Sequence, residues 1–108
     1  MKSSKIILAA SALAGGSLLA SGPALADGNV RCASGPAEKW QPIDKLKKKV
    51  WLEGWSLLKT QVEGDCYEVY ARTENGQAIE AFFHPVTLQK LVVFRRGQEI
   101  YRAPGFKG

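Results

Sequence analysis

Ile43, Leu46 and Val50 recur at i, i+3 and i+7 with Lys45, Lys48 and Lys49 pointing away from them, the spacing of a helix with one apolar stripe and one wet face. Pro42 stands where a first helical residue is often proline, and Asp44 faces the unpaired amides of the first turn. Gly54 suits a left-handed terminator, and the lysines suit the negative end of the helix dipole. Trp51 flanks the stripe. Leu52 falls on the wrong side of the wheel, which the pattern explains only as a frayed last turn. Past Gly54 the period changes to two. Residues 55–63 alternate loosely, Gly64-Asp65 marks a turn, and residues 66–73 are rich in Tyr and Val.

Asn75-Gly76 signals a hairpin, and its loop length follows from the faces, because opposed residues of an antiparallel pair share a side. A two-residue loop pairs Val69 with Phe82 but sets Ala71 against Glu80 and Ile79 against Arg72, which scatters charge over both faces. A three-residue loop, Glu74-Asn75-Gly76 with Gly76 left-handed, pairs Tyr67 with Phe83, Val69 with Ala81 and Ala71 with Ile79. The inner face is then uncharged, and Glu68, Tyr70, Arg72, Ala78, Glu80 and Phe82 fall outside. After Pro85 and a turn through Thr87, residues 91–94 supply a last strand. Ile100 and Tyr101 have the composition of a short edge strand in a tail expected to end loosely. The pattern predicts an α+β domain of two layers, one helix packed on a three- to four-stranded antiparallel meander.

Ahead of this domain, Lys2 and Lys5 precede an apolar run at residues 6–20, and Ala24-Leu25-Ala26 ends it in the A-x-A form that signal peptidase reads. Residues 1–26 are expected to be a cleaved signal peptide; the run falls short of the roughly twenty residues that span a bilayer, so no stable membrane anchor is expected. The chain is then exported, periplasmic or secreted. Residues 27–39 read as an irregular arm, residues 40–95 as the domain and residues 96–108 as a tail. Cleavage leaves 82 of the 108 residues, near the size at which a hydrophobic core alone is marginal.

Export gives the two cysteines their simplest reading. Cys32 and Cys66 form an even pair expected to be a disulfide. The competing reading is a redox or metal pair, but there is no C-x-x-C, and one His does not complete a zinc site with them. Loss of Lys2 and Lys5 leaves 13 of the 15 Lys and Arg against 10 Asp and Glu, a net charge of about +3. That is too mild for a nucleic-acid binder, and export makes such a partner unsuitable. The cations cluster at Lys45, Lys47, Lys48 and Lys49 and again at Arg95 and Arg96.

Cys32, Lys39-Trp40, Gly54-Trp55, then Gly64-Asp65-Cys66-Tyr67-Glu68-Val69-Tyr70-Ala71-Arg72, Asn75-Gly76, Ile79-Glu80-Ala81 and Pro85-Val86-Thr87 follow in order. This succession resembles the small exported PepSY-domain proteins, a group that includes modules of peptidase propeptides, over most of residues 32–93. The Cys-Tyr-Glu-Val-Tyr-Ala stretch with its upstream Cys and Lys-Trp is the most specific part. Where the usual pattern has an Asp-Pro-x-Thr-Gly turn, His84 stands for the Asp and Leu88 for the Gly, so no role of an acidic side chain carries over. The resemblance implies a non-catalytic domain that restrains or regulates peptidases; a monomer that binds another exported or envelope protein is expected.

The remaining chemistry agrees with that implication. His84, the only His, is expected to cap a turn, since a metal or haem site would lack further ligands. Ser34 and Ser56 sit in no G-x-S-x-G elbow. Glu68 and Glu80 share the outer sheet face, where nothing encloses them as an acid–base pair would require. No catalytic residue, metal or cofactor is expected. Trp40, Trp51 and Trp55 cluster around the helix and are expected to build core or seal its edge. The outer face holds the binding candidates: Tyr70 and Phe82, diagonal neighbours, bordered by Glu68, Glu80 and Arg72, suit a protein interface unless the arm or tail covers them. Lys45, Lys48 and Lys49 offer an alternative, an anionic surface or ligand.

Overall fold

The computed structural model describes residues 30–108; the expected leader lies outside them. After a single 3-10 turn at Ala37–Lys39 come helix α1 (Ile43–Leu52) and strands β1 (Ser56–Glu63), β2 (Cys66–Arg72), β3 (Ala78–Phe83), β4 (Lys90–Arg95) and β5 (Gln98–Arg102). The strands form one antiparallel sheet in sequence order. The α+β reading holds, with five strands where three or four were expected.

Helix α1 lays its stripe on the inner face. Leu46 and Val50 are fully buried, Ile43 partly, against Tyr67, Val69, Ala71, Ile79, Ala81 and Phe83. Pro42, expected inside the helix, instead caps it with extended geometry (φ −65°, ψ 151°). At the other end the Gly54 amide donates to the Trp51 carbonyl at 2.9 Å and the Trp55 amide to that of Val50 at 3.4 Å, with Gly54 at φ 84°. This is the Schellman arrangement, which satisfies carbonyls that have no partner within the helix. A Cβ at position 54 would also lie 2.8 Å from the Glu74 carboxylate, so the site asks for glycine twice. Trp40 and Trp55 pack edge-on to Tyr67 and Phe83, centroids 5.5 and 6.5 Å apart. Trp51 corrects the expectation for the third ring: it is 72% exposed, as is Leu52 at 63%, because the last helical turn runs past the sheet-facing stripe.

The β2–β3 hairpin has the register that the charge pattern demands, with Tyr67 opposite Phe83, Val69 opposite Ala81 and Ala71 opposite Ile79. The Thr73 amide donates to Gln77 O, the Gly76 amide to Thr73 O, both at 2.9 Å, and Gly76 takes φ 84°. These bonds close the three-residue loop.

The outer face carries a second core that the two-layer reading lacked. Cys66, Phe82, Val92 and Phe94 pack there with Val30 and Cys32 of the arm and with Leu91, Ala103 and Phe106. The tail is likewise not loose. After β5 pairs with β4, the Ala103 amide donates to Leu91 O at 2.8 Å, and the Arg102 guanidinium lies 5.3 Å from the Phe106 ring centroid while donating to that residue's carbonyl at 3.0 Å. The described chain therefore has three layers: helix, sheet, and an arm-and-tail cover.

The Cys32–Cys66 disulfide holds that cover to the first residue of β2, with Cα atoms 5.4 Å apart and 34 residues between them in sequence. Closing a loop of this length removes unfolded-state entropy worth roughly 3–4 kcal/mol. Replacing both cysteines with Ser is expected to lower the unfolding free energy by about that amount in urea titration. A loss below about 1 kcal/mol would show that packing alone retains the arm.

Candidate functional site

Strand register sorts the outer face into rows. Glu68 lies opposite Phe82 and Phe82 opposite Val92; Tyr70 lies opposite Glu80 and Glu80 opposite Phe94; Arg72 lies opposite Ala78. The first row corrects the expected interface. Phe82 and Glu68 are fully buried, Phe82 because the arm and tail pack on it. Glu68 accepts a 2.7 Å hydrogen bond from Gln61 Nε2 through Oε1, and its Oε2 is buried with no hydrogen-bond partner among the described residues. Neither side chain meets a partner protein while the cover is in place.

The other rows stay within reach of solvent except at Phe94, which is buried in the outer core. Tyr70 is half-buried, its ring 5.5 Å from Lys59 Nζ, and Glu80 is half-buried beside it. Arg72 is exposed and donates through Nη1 to Gly76 O at 3.1 Å. A groove of about 440 Å³ is lined by Tyr70, Ala78, Glu80, Phe94 and Arg96, and an adjoining one of about 300 Å³ by Arg72, Gln77, Ala78, Arg95 and Arg96. Arg95 and Arg96 stood out in the sequence only as a charge cluster. Their place beside Arg72 follows from the tight turn between β4 and β5, where Arg95 opposes Gln98.

The acid–base candidates are not gathered. His84 lines a third groove, about 260 Å³, with Cys32, Leu91 and Phe106; Glu80 lines another, and Glu68 lines none of the three. Cys32, Cys66 and Asp65 bring potential ligand atoms within 4.8 Å of one another, but the two sulfurs are bonded to each other, which leaves one carboxylate. That carboxylate has a structural task. Asp65 Oδ1 accepts the Cys32 amide at 2.9 Å and Oδ2 the Ser34 amide at 3.2 Å. The Cys32 bond is the main cause that holds the Asp65 carboxyl below its ordinary range, against the opposing pull of desolvation. Lys45, Lys48 and Lys49 are exposed on the free face of α1, and none of them lines the three grooves. No described helix is long and apolar enough to cross a membrane.

The model of the peptidase propeptide and YPEB domain family matches residues 6–92. The chain belongs to this PepSY family. No curated protein and no solved structure gives a match. PepSY domains are generally non-catalytic propeptide or regulatory modules.

The two departures from the PepSY turn pattern have a physical account. His84 Nδ1 accepts the Val86 amide at 3.1 Å and the Thr87 amide at 3.3 Å, the task an Asp carboxylate performs in such a turn. Leu88, at the position of the usual Gly, keeps the left-handed backbone with φ 61°. A non-glycine residue there is strained by roughly 1–2 kcal/mol, offset by burial of the Leu88 side chain in the helix-side core. Gln41 ties this turn to the helix entry, its amide donating to Pro85 O at 2.8 Å and its side chain to Val86 O at 3.1 Å.

Two outcomes are expected. His84→Asp should keep the melting temperature close to that of the wild type, whereas His84→Ala should lose about 1 kcal/mol; equal losses in calorimetry would remove the acceptor role. Because the Asp65 pKa is depressed on folding, its contribution is complete above about pH 4 and disappears as pH falls through the lower folded value. In urea titrations between pH 2 and 7, Asp65→Asn should therefore flatten the acid limb. An unchanged acid limb would place the sensitivity elsewhere.

Proposed function

We propose that this chain is an exported, non-catalytic PepSY module that binds another exported or envelope protein and restrains peptidase activity. The observation that carries the reading is the family match across residues 6–92, to a domain described from peptidase propeptides. Two features support the compartment. The disulfide between Cys32 and Cys66 suits an oxidising environment, and residues 1–26 have the charge, apolar run and A-x-A ending of a cleaved leader. A restraining module needs a rigid scaffold with an accessible recognition surface. The sheet, stapled on one face and covered by α1 on the other, supplies the first, and the end bearing Tyr70 and Arg72 supplies the second.

The test titrates the purified exported chain into peptidases of the same exported fraction, with labelled casein as substrate. The expected result is a saturable, dose-dependent fall in casein cleavage with the added chain remaining intact. Unchanged cleavage across that fraction would sink the reading. So would turnover by the chain itself that disappears in Glu68→Gln or His84→Ala while the fold survives.

A further inference from the structure

The turn between β4 and β5 uses a residue that turn chemistry does not favour. Arg95 opposes Gln98, so Arg96 and Gly97 are the whole loop, and both have positive φ, 54° and 78°. These are the φ signs of a type I′ turn, where Asn-Gly is preferred. An arginine in the left-handed region is strained by roughly 1–2 kcal/mol, and Arg96 is exposed, so no burial offsets the strain.

What the turn gains is position. Glu80 opposes Tyr70 and Phe94, the next outer-face row is Arg72 opposite Ala78, and Arg96 follows the end of β4 in the turn that lines the same cavity. Ala78, with its short side chain, lines the same cavity as the two arginines. Arg72, Gln77, Arg95 and Arg96 line the cavity that results. The Arg72–Gly76 bond steadies one guanidinium. The aromatic groove of Tyr70 and Phe94 is continuous with this cavity through Ala78 and Arg96. Arg96 lines both grooves, and Arg72 and Arg95 add their cationic side chains at the end that Tyr70 does not line.

We infer that this groove binds an extended acidic polypeptide segment, with an apolar side chain against Tyr70 and Phe94 and a carboxylate, two residues further on, between Arg72 and Arg96. The spacing follows from strand geometry. An extended peptide presents side chains on one face about every 6.6–6.8 Å, which is also the separation of neighbouring outer-face rows. Guanidinium groups pair with carboxylates in two-point fashion, and the apolar contact selects a peptide over a simple anion. The inference rests on the reading of the chain as a binding module and names the chemistry of its partner.

The experiment measures binding of a fluorescent peptide, Ser-Phe-Ser-Glu-Glu-Ser, to the chain purified as exported, by anisotropy at 50 and 300 mM NaCl. A Gln-for-Glu peptide and a peptide with Phe and Glu directly adjacent serve as controls. Binding is expected for the first peptide, weaker at high salt, and at least about tenfold weaker for either control, the loss of one charged or apolar anchor. Arg96→Asn and Arg72→Gln should each weaken it at least about tenfold. Asn is the favoured residue at position 96, so Arg96→Asn should melt no lower than the wild type; a lower melting temperature would mean that Arg96 serves the fold and would overturn the inference. So would equal binding of the three peptides, or binding indifferent to both substitutions. Inorganic phosphate or vesicles of anionic lipid that bind more tightly through the same arginines would replace the polypeptide by a simple anion or a membrane. If the wild type binds the peptide but does not slow casein cleavage, the groove stands and peptidase restraint falls. If Arg96→Asn and Arg72→Gln leave restraint intact and the peptide does not bind, restraint stands and the groove falls.

Discussion

A five-stranded sheet with apolar side chains on both faces has to be covered twice, and this chain has one helix with which to do it. Leu46 and Val50 of α1 close the inner face. The outer face, with Phe82, Val92 and Phe94, is closed by irregular chain from both ends: Val30 and Cys32 before the helix, Ala103 and Phe106 after the last strand. Irregular segments bring few backbone hydrogen bonds of their own and give up much conformational freedom when they dock. The Cys32–Cys66 bond removes much of that penalty in advance, and the Asp65 carboxylate, accepting the Cys32 and Ser34 amides, orients the arm where it crosses the edge of the sheet.

Turn chemistry does the rest of the positioning. Gly54 ends α1 and lets the Glu74 carboxylate approach; Gly76 closes the β2–β3 loop so that the charges fall outward. Two turns depart from the easy residue. Leu88 accepts a left-handed backbone where its side chain fills the core. Arg96 accepts one at an exposed position, where its side chain joins Arg72 and Arg95 around a cavity that Ala78 also lines. Strain compensated by packing is an ordinary feature of a fold, whereas strain at an exposed charged residue directs attention to a ligand.

The cover and the candidate groove divide the outer face between them. Where arm and tail lie, Phe82 and Glu68 are out of reach; beyond them Tyr70 and the three arginines line open grooves, with the mostly buried Phe94 in one wall. Stability and recognition thus use different stretches of the same strands, which suits a small PepSY domain with little surface to spare.

The helix with its stripe, the three-residue hairpin loop and its register, the Cys pair and the turn-capping role of His84 were all legible in the sequence. Each depends on periodicity, local charge or turn preference, and those are properties of neighbouring residues. The charge pattern was decisive for the hairpin, because the alternative register would scatter Glu80 and Arg72 over both faces of the sheet. The ordered tail, the exposed Trp51 and the burial of Phe82 and Glu68 were not legible, and the fifth strand showed only in the edge-strand composition of Ile100 and Tyr101. Whether an outer-face aromatic is an anchor or a core residue depends on which distant segment lies over it, and residues 30–34 and 103–106 carry no periodic mark of their destination. Arg72 lies more than twenty residues from Arg95 and Arg96 along the chain, and only the summed register of three strand pairs brings them around one cavity. Local sequence therefore determined the elements and their faces, and tertiary pairing decided which side chains of the outer face remain free to bind.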